Sequence, residues 1–260
     1  MRCLYREKYY ECGDYLEVNL FPAYKKAKQR NKKAKPTTEV QEKLNQTNAE
    51  NKLVRLMNAN FTADDIKCEL SYDNSCHPES DEQAARDLQN FLRRLKRFRN
   101  KQGLPELKYI TATEKGTKKG RYHHHITISG GITPKQLAEI WGKGYVQKIQ
   151  PLQFDECGIV GIAKYYPKEP IFFKRWNTSK NLVHPEPQRR DGRLSKKVVE
   201  ELARDTENGR EYEKYFDGYF FAQAHKLIND YNGGVYLQIR LYKKEANLCK
   251  VKKRKQHPKA

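Results

Sequence analysis

The stretch "ELKYITATEKGTKKGRYHHHITIS", residues 106–129, carries the reading of the fold. Two runs rich in Ile, Thr and Tyr, 107–114 and 122–129, flank the turn "KGTKKGR", which is the pattern of an antiparallel hairpin. An engineered histidine tag is longer and terminal, whereas this triplet is internal and flows directly into Ile126-Thr127-Ile128. Side chains alternate along a strand. His123, His125 and Thr127 therefore face one way, while Tyr122, His124, Ile126 and Ile128 face the other.

Working outward, "DDIKCELSY" (64–72) alternates as a strand. Ser80 and Gln83 have the spacing of a capping box, opening a helix whose apolar stripe is Ala84, Ala85, Leu88, Phe91, Leu92, Leu95 and Phe98. Its other side carries Arg93, Arg94, Lys96, Arg97 and Arg99, a face for solvent or for phosphate. After the hairpin come a helix opening at Thr133-Pro134, a strand "YVQKIQ" (145–150) and a helix at about 155–166. The order β-α-β-β-α-β-α predicts an α+β domain built on one antiparallel sheet.

The flanks are less regular. "YLEVNLF" (15–21) reads as a short strand, followed by a basic arm at 25–36 with seven Lys/Arg in twelve residues. A helix is expected from Thr38 to Phe61. Beyond Leu182, "HPEPQRRDGR" reads as a linker. It is followed by a helix at 195–205, a Tyr- and Phe-rich segment at 212–231, a hairpin signal at Asn232-Gly233-Gly234, the strand "VYLQIRLY" and a basic tail. The expected division is 1–60, 61–182 and 183–260, the last an α/β extension with helical content.

With 260 residues the chain can bury a sizeable core, and its 52 Lys+Arg against 32 Asp+Glu give a net charge of +20. Such a surface calls for a polyanionic partner. There is no apolar run of transmembrane length and no secretory leader, so a cytoplasmic protein without membrane contact is expected. The six cysteines form no C-x-x-C pair and are expected to be reduced. No phosphate-binding loop G-x-x-x-x-G-K-[ST] occurs, so any ATP-driven step belongs to a partner.

Two imidazoles on one strand face form half of a divalent-cation site, and antiparallel pairing brings Glu114 towards them as an oxygen ligand. Glu69 on the earlier strand is the rival acid. This mixed set suits Mg²⁺ or Mn²⁺ without excluding Zn²⁺. In "CGIVGIAKYYPKEP" (157–170), Ile159, Ile162, Ala163 and Tyr166 share one helix face, so Tyr166 is a core residue. Tyr165 lies above Gly158 and Gly161 and is the better candidate for work in a site.

The order Glu114…His123-His124-His125…Tyr165-Tyr166-Pro167-Lys168 resembles the E…H-U-H…Y-x-x-K pattern of the HUH endonuclease superfamily. Within it the chain resembles rolling-circle replication initiators of small phages, plasmids and integrative elements, over about residues 61–182. The resemblance implies a five-stranded antiparallel sheet with helices on its faces, ferredoxin-like, flanked by a basic N-terminal arm and a C-terminal helical extension. It implies a metal on His123, His125 and Glu114, with Tyr165 as nucleophile and Lys168 as a cationic helper.

Cleavage and joining of single-stranded origin DNA through a 5′-phosphotyrosyl link would follow, with a host helicase and polymerase as partners in a bacterial cell. Two departures stand out: His124 fills the usually hydrophobic U position, which leaves open whether it packs under the sheet or joins the metal. Pro167 interrupts Y-x-x-K. A single nucleophile implies a second subunit for a second cleavage, as a homodimer or higher oligomer, or else the use of Tyr166. The DNA-binding candidates are Arg93, Arg94 and Arg97, then Lys118, Lys119 and Arg121, then Lys164, Lys174 and Arg175, on single-stranded or hairpin DNA. A relaxase, a single-strand transposase and a non-catalytic nucleic-acid-binding module are the competing readings.

Overall fold

The computed structural model describes residues 4–23, 39–116, 120–152, 159–163, 166, 175–229 and 233–244. Along the chain these form β1 (Leu4–Cys12), β2 (Tyr15–Ala23), α1 (Glu39–Asn60), β3 (Ile66–Ser71), α2 (Asp81–Lys101), β4 (Tyr109–Lys115), β5 (Tyr122–Ile128) and α3 (Pro134–Trp141). There follow β6 (Val146–Pro151), α4 (Val160–Ala163), β7 (Asn177–Thr178), β8 (Gln188–Asp191), α5 (Lys196–Leu202), α6 (Gly209–Glu213), β9 (Tyr219–Asn229) and β10 (Gly234–Lys243). Backbone contacts divide the chain into a central unit, Asn60–Gln153 with Ile159–Val183, and a flanking unit, Met1–Ala59, Phe154–Gly158 and His184–Ala260.

In the central unit five antiparallel strands run in the order β6-β3-β5-β4-β7, which puts the histidine strand in the middle. Leu70, Ile126 and Ile128 on one face pack with Ala84, Phe91 and Leu95 of α2 and with Leu137 and Trp141 of α3. The helices begin where their caps dictate. Ser80 Oγ accepts from the Gln83 amide, while the Gln83 side chain accepts from the Glu79 amide instead of closing the box on Ser80. Thr133 and Gln136 form the full reciprocal box at α3, with Pro134 in its first turn. Past α3 the chain approaches β3 so closely that a Cβ on Gly144 would lie 2.5 Å from the Ser71 carbonyl oxygen. That approach allows the Ser71 amide to donate to the Tyr145 carbonyl.

The expected cationic face of α2 is smaller than the sequence suggests. Arg99 is 2% exposed and donates to the carbonyls of Pro105, Ser129 and Gly130. Its Nε and Nη1 donors thus serve loop carbonyls and not solvent.

The flanking unit holds a second five-stranded antiparallel sheet, β8-β1-β2-β10-β9. Tyr5, Tyr9, Val18, Leu20, Leu237 and Ile239 on one face bury against Val199 and Leu202 of α5 and Tyr212 of α6. On the other face, α1 covers one end. The Arg55 guanidinium lies 3.9 Å from the Tyr10 ring centre and 3.5 Å from the Glu17 carboxylate, Arg240 donates to Asn51, and Tyr242 donates to Asn58. Two expectations are corrected here. β1 is absent from the expected strands, because Arg6, Glu7 and Lys8 interrupt its apolar alternation; Glu7 is nonetheless buried, held by Arg193. The C-terminal extension is mainly strand, since Tyr219–Asn229 and Gly234–Lys243 pair with each other and complete a sheet with β2. The hairpin signal falls between them, with Asn232 outside the described residues.

Candidate active site

Strand register assembles the polar cluster. Glu69 on β3 pairs with His125, and Glu114 on β4 pairs with His123, so both carboxylates project from the same face as the two histidines. His125 Nε2 lies 2.8 Å from Glu114 Oε2, and its Nδ1 lies 3.9 Å from Glu69 Oε2. His123 Nδ1 lies 3.4 Å from Glu69 Oε1, is buried, and makes no hydrogen bond among the described residues. Glu69 thus sits between both imidazoles.

One cation joins the cluster that no sequence pattern singles out. Lys148 on β6 has φ 51°, at the point where the β3–β6 register slips, and its ammonium lies 2.8 Å from Glu69 Oε2. Alternation along "YVQKIQ" does not reveal a bulge, so only the backbone shows this turn of the side chain. Burial pushes the Glu69 carboxyl up. The hydrogen bond from Lys148 and the positive charges of His125, Lys148 and His123 outweigh it, and the group settles below its ordinary value. A cavity of about 190 Å³ opens beside the cluster, lined among others by Glu69, His125, Thr127, Lys148, Ile162 and Tyr166.

The middle histidine goes the other way. His124 is fully buried on the helical face, its Nε2 2.8 Å from the Tyr72 hydroxyl and its Nδ1 2.9 Å from Thr113 Oγ1. Either hydroxyl can give or take a proton, so both ring nitrogens are satisfied in either neutral tautomer. Burial, reinforced by the neighbouring His123 and His125, lowers its pKa to about 3. His124 is therefore a neutral core residue, packed edge-on to Tyr72 and Trp141 and turned away from the cluster.

Tyr166 is likewise structural. Its hydroxyl donates to the Ile110 carbonyl at 3.1 Å and to Thr127 Oγ1 at 2.9 Å, which fixes the Tyr166 ring on the cluster's face of the sheet. Burial pushes its phenol well above the usual range. Tyr165, Lys164, Lys168, Lys118, Lys119 and Lys174 lie outside the described residues. Among the basic candidates that are described, Arg93 and Arg97 are exposed. Arg94 caps α3 by donating to the Ile140 and Trp141 carbonyls, Arg121 donates to the Tyr72 carbonyl and Asn74, and Arg175 is half-buried.

The donor set fits a divalent cation in chemistry: two imidazoles, two carboxylates and an unbonded buried nitrogen at His123. Among the described residues no group of three or more such side chains is already gathered around one point; the donors pair with one another instead. Among the described residues, no helix is long and apolar enough to cross a membrane.

Comparison with curated proteins and with solved structures found no match to the chain. A family model described as replication-associated protein ORF2 does match residues 68–170, less than half of the chain. That span runs from Cys68 in β3 past Tyr166 and contains Glu69, Glu114, His123, His125 and Lys148. The segment that builds the histidine and carboxylate cluster is thus the part of the chain that matches the replication-associated protein ORF2 family.

Proposed function

We propose that the chain is a rolling-circle replication initiator, cutting and rejoining single-stranded DNA at an origin within a bacterial host cell. The observation that carries this is the meeting of Glu69, Glu114, His123 and His125 on one sheet face, to which Tyr166 is also tied. In the reaction, the Tyr165 oxygen attacks phosphorus, the bond from phosphorus to the 3′ oxygen breaks, and that oxygen leaves as a 3′-hydroxyl after taking up a proton. The phosphodiester energy is kept in a 5′-phosphotyrosyl bond, and reversal by a 3′-hydroxyl rejoins the strand. Lys168 favours the phenolate of Tyr165, whose free pKa near about 10 disfavours attack at neutral pH. His123 and His125, with Glu114 or Glu69, would hold Mg²⁺ or Mn²⁺, which supplies Lewis-acid polarisation of the nonbridging phosphate oxygens. A host polymerase extends the 3′-hydroxyl while a host helicase unwinds, and a second subunit of a homodimer or higher oligomer makes the second cut.

The test is incubation of the protein and Mn²⁺ with a 3′-labelled single strand carrying the origin, followed by denaturation. The label is expected to stay with the wild-type protein and with Tyr166→Phe, and to be absent from Tyr165→Phe. An adduct that persists in Tyr165→Phe and vanishes in Tyr166→Phe overturns the assignment of the nucleophile. No adduct on any origin-derived strand, with DNA binding intact, makes the chain a non-catalytic module.

A further inference from the structure

The second sheet has a face that α1 covers only in part. Its register sorts the side chains of that face into cross-strand rows. The row Tyr10, Glu17, Arg240 and Gln223 lies under α1, where Arg55 and Asn51 meet it. One step along the strands, Lys8 stands opposite Asn19, Asn19 opposite Gln238, and Gln238 opposite His225. One step further, Arg6 stands opposite Phe21, and Tyr236 opposite Leu227. Side chains of both outer rows are half-buried or exposed, whereas Tyr10, Glu17 and Arg240 are buried. In the N-terminal half of α1, Glu39 and residues 41–47 are likewise all exposed or half-buried.

Within the open rows, the rings of Phe21 and Tyr236 stand nearly parallel, 8° apart in plane with centres 6.4 Å apart. They lie on adjacent strands of a rigid sheet. Arg189 on β8 pairs with Lys8 and extends that row with another cation. Asp191 on β8, opposite Arg6, is bound to it at 2.6 Å. Past Phe21 the sequence continues into the arm at 25–36 with its seven Lys/Arg. Aromatic rings on neighbouring strands, the amides of Asn19, which also donates to Glu17, and Gln238 in the next row, and cations at the edge are the features that bind unpaired bases. Rings supply stacking, amides meet base edges, and cations meet phosphates. A paired duplex cannot use such a platform, because its base faces are already stacked on one another.

We propose that this open face is a binding platform for single-stranded DNA, with bases stacked on Phe21 and Tyr236 and phosphates held by Lys8 and Arg189. It rests on the DNA-acting reading above only for the class of polymer. The chemistry is separate from cleavage, since none of these residues belongs to the histidine and carboxylate cluster.

The experiment uses the full chain, EDTA, and a fluorescein-labelled mixed-sequence 15-mer that lacks the origin, read by anisotropy over a range of salt. Phe21→Leu/Tyr236→Leu keeps apolar bulk but removes both rings, and is expected to weaken single-strand binding about tenfold or more. Phe21→Tyr/Tyr236→Phe is expected to bind as the wild type does. Lys8→Gln/Arg189→Gln is expected to flatten the slope of log K against log salt by about 0.7 for each phosphate no longer neutralised. Binding by the leucine pair within twofold of wild type, with circular dichroism unchanged, overturns the platform. So does an equal loss on a duplex of the same sequence, or loss in the Tyr/Phe exchange. The origin-adduct assay on the same preparations separates the two proposals. No wild-type adduct beside a ring-dependent affinity sinks the nicking reading alone, and an adduct beside ring-independent affinity sinks the platform alone.

Discussion

On the helical face of the central sheet, His124 has no exposed surface and two hydroxyl partners, and its pKa falls to about 3. On the opposite face, His123 and His125 keep 30% and 18% of their side-chain surface and look onto Glu69 and Glu114. The three residues are consecutive and chemically identical, so the difference lies wholly in what the sheet places around each ring. Burial among neutral partners removes the charged form, because two hydroxyls satisfy the ring nitrogens but do not replace the hydration of a cation. Carboxylates beside the half-open rings of His123 and His125 add oxygen donors to their nitrogens, a set that suits a bound cation. One face is built to hold the fold, and the other to hold charge.

The sharpest way to break this division is to remove one side of it at a time. His123→Ala/His125→Ala is expected to lower the rate of adduct formation about a thousandfold, the scale of losing several kcal/mol of Lewis-acid stabilisation. Its urea midpoint should stay close to wild type, because neither ring is packed in the core. EDTA should reproduce the loss in the wild-type protein and Mn²⁺ should restore it. A double variant that unfolds, or that still forms the adduct at the wild-type rate, would show that the two faces are not divided in this way.

The complementary change is His124→Ala, which empties a core position and strands the Tyr72 hydroxyl and Thr113 Oγ1. About 2–4 kcal/mol of stability should be lost, read as a lower urea midpoint, while the adduct rate per folded molecule stays within about tenfold. Acid should narrow the gap. A folded-state pKa of about 3, below the ordinary 6.5, means that the unfolded chain binds the proton more readily than the folded one. The stabilising contribution of His124 is therefore complete above about pH 6.5 and fades as the pH falls towards 3, by up to about 1.4 kcal/mol per unit. The wild type should lose stability faster than His124→Ala between pH 6.5 and 4.5. Parallel pH profiles for the two would mean that the ring is charged in place.

Much of this division is legible as letters. Period two along "YHHHITIS" assigns the faces, and the Gly- and Lys-rich turn brings Glu114 to His123. Spacing does not rank Glu69 against Glu114, because the position of β3 beside β5 is a long-range pairing that no local signal encodes. Lys148 is invisible for a related reason: a bulge is defined by the partner strand. Arg99 and Arg94 read as a cationic face because periodicity says which way a side chain points but not which loop carbonyls it will meet. The flanking sheet is the least legible. Its strands come from both ends of the chain, and β1 carries a buried Glu7 whose partner, Arg193, lies far away in sequence.

The smallest expected effect belongs to the tyrosines and separates Tyr166 from Tyr165. Tyr166→Phe keeps the buried ring and removes only the hydroxyl that meets the Ile110 carbonyl and Thr127 Oγ1. The cost should be about 1 kcal/mol, the net worth of an ordinary buried hydrogen bond, measured as a small drop in urea midpoint. Because burial holds the Tyr166 phenol well above its usual range, its phenolate is out of reach near neutral pH and contributes nothing to attack. The adduct rate should therefore change by less than about tenfold, and the pH at which it rises should not move. A shift in that pH would mean that the Tyr166 proton is part of the reaction, and that the buried, core-facing tyrosine and the reactive one are not separate residues.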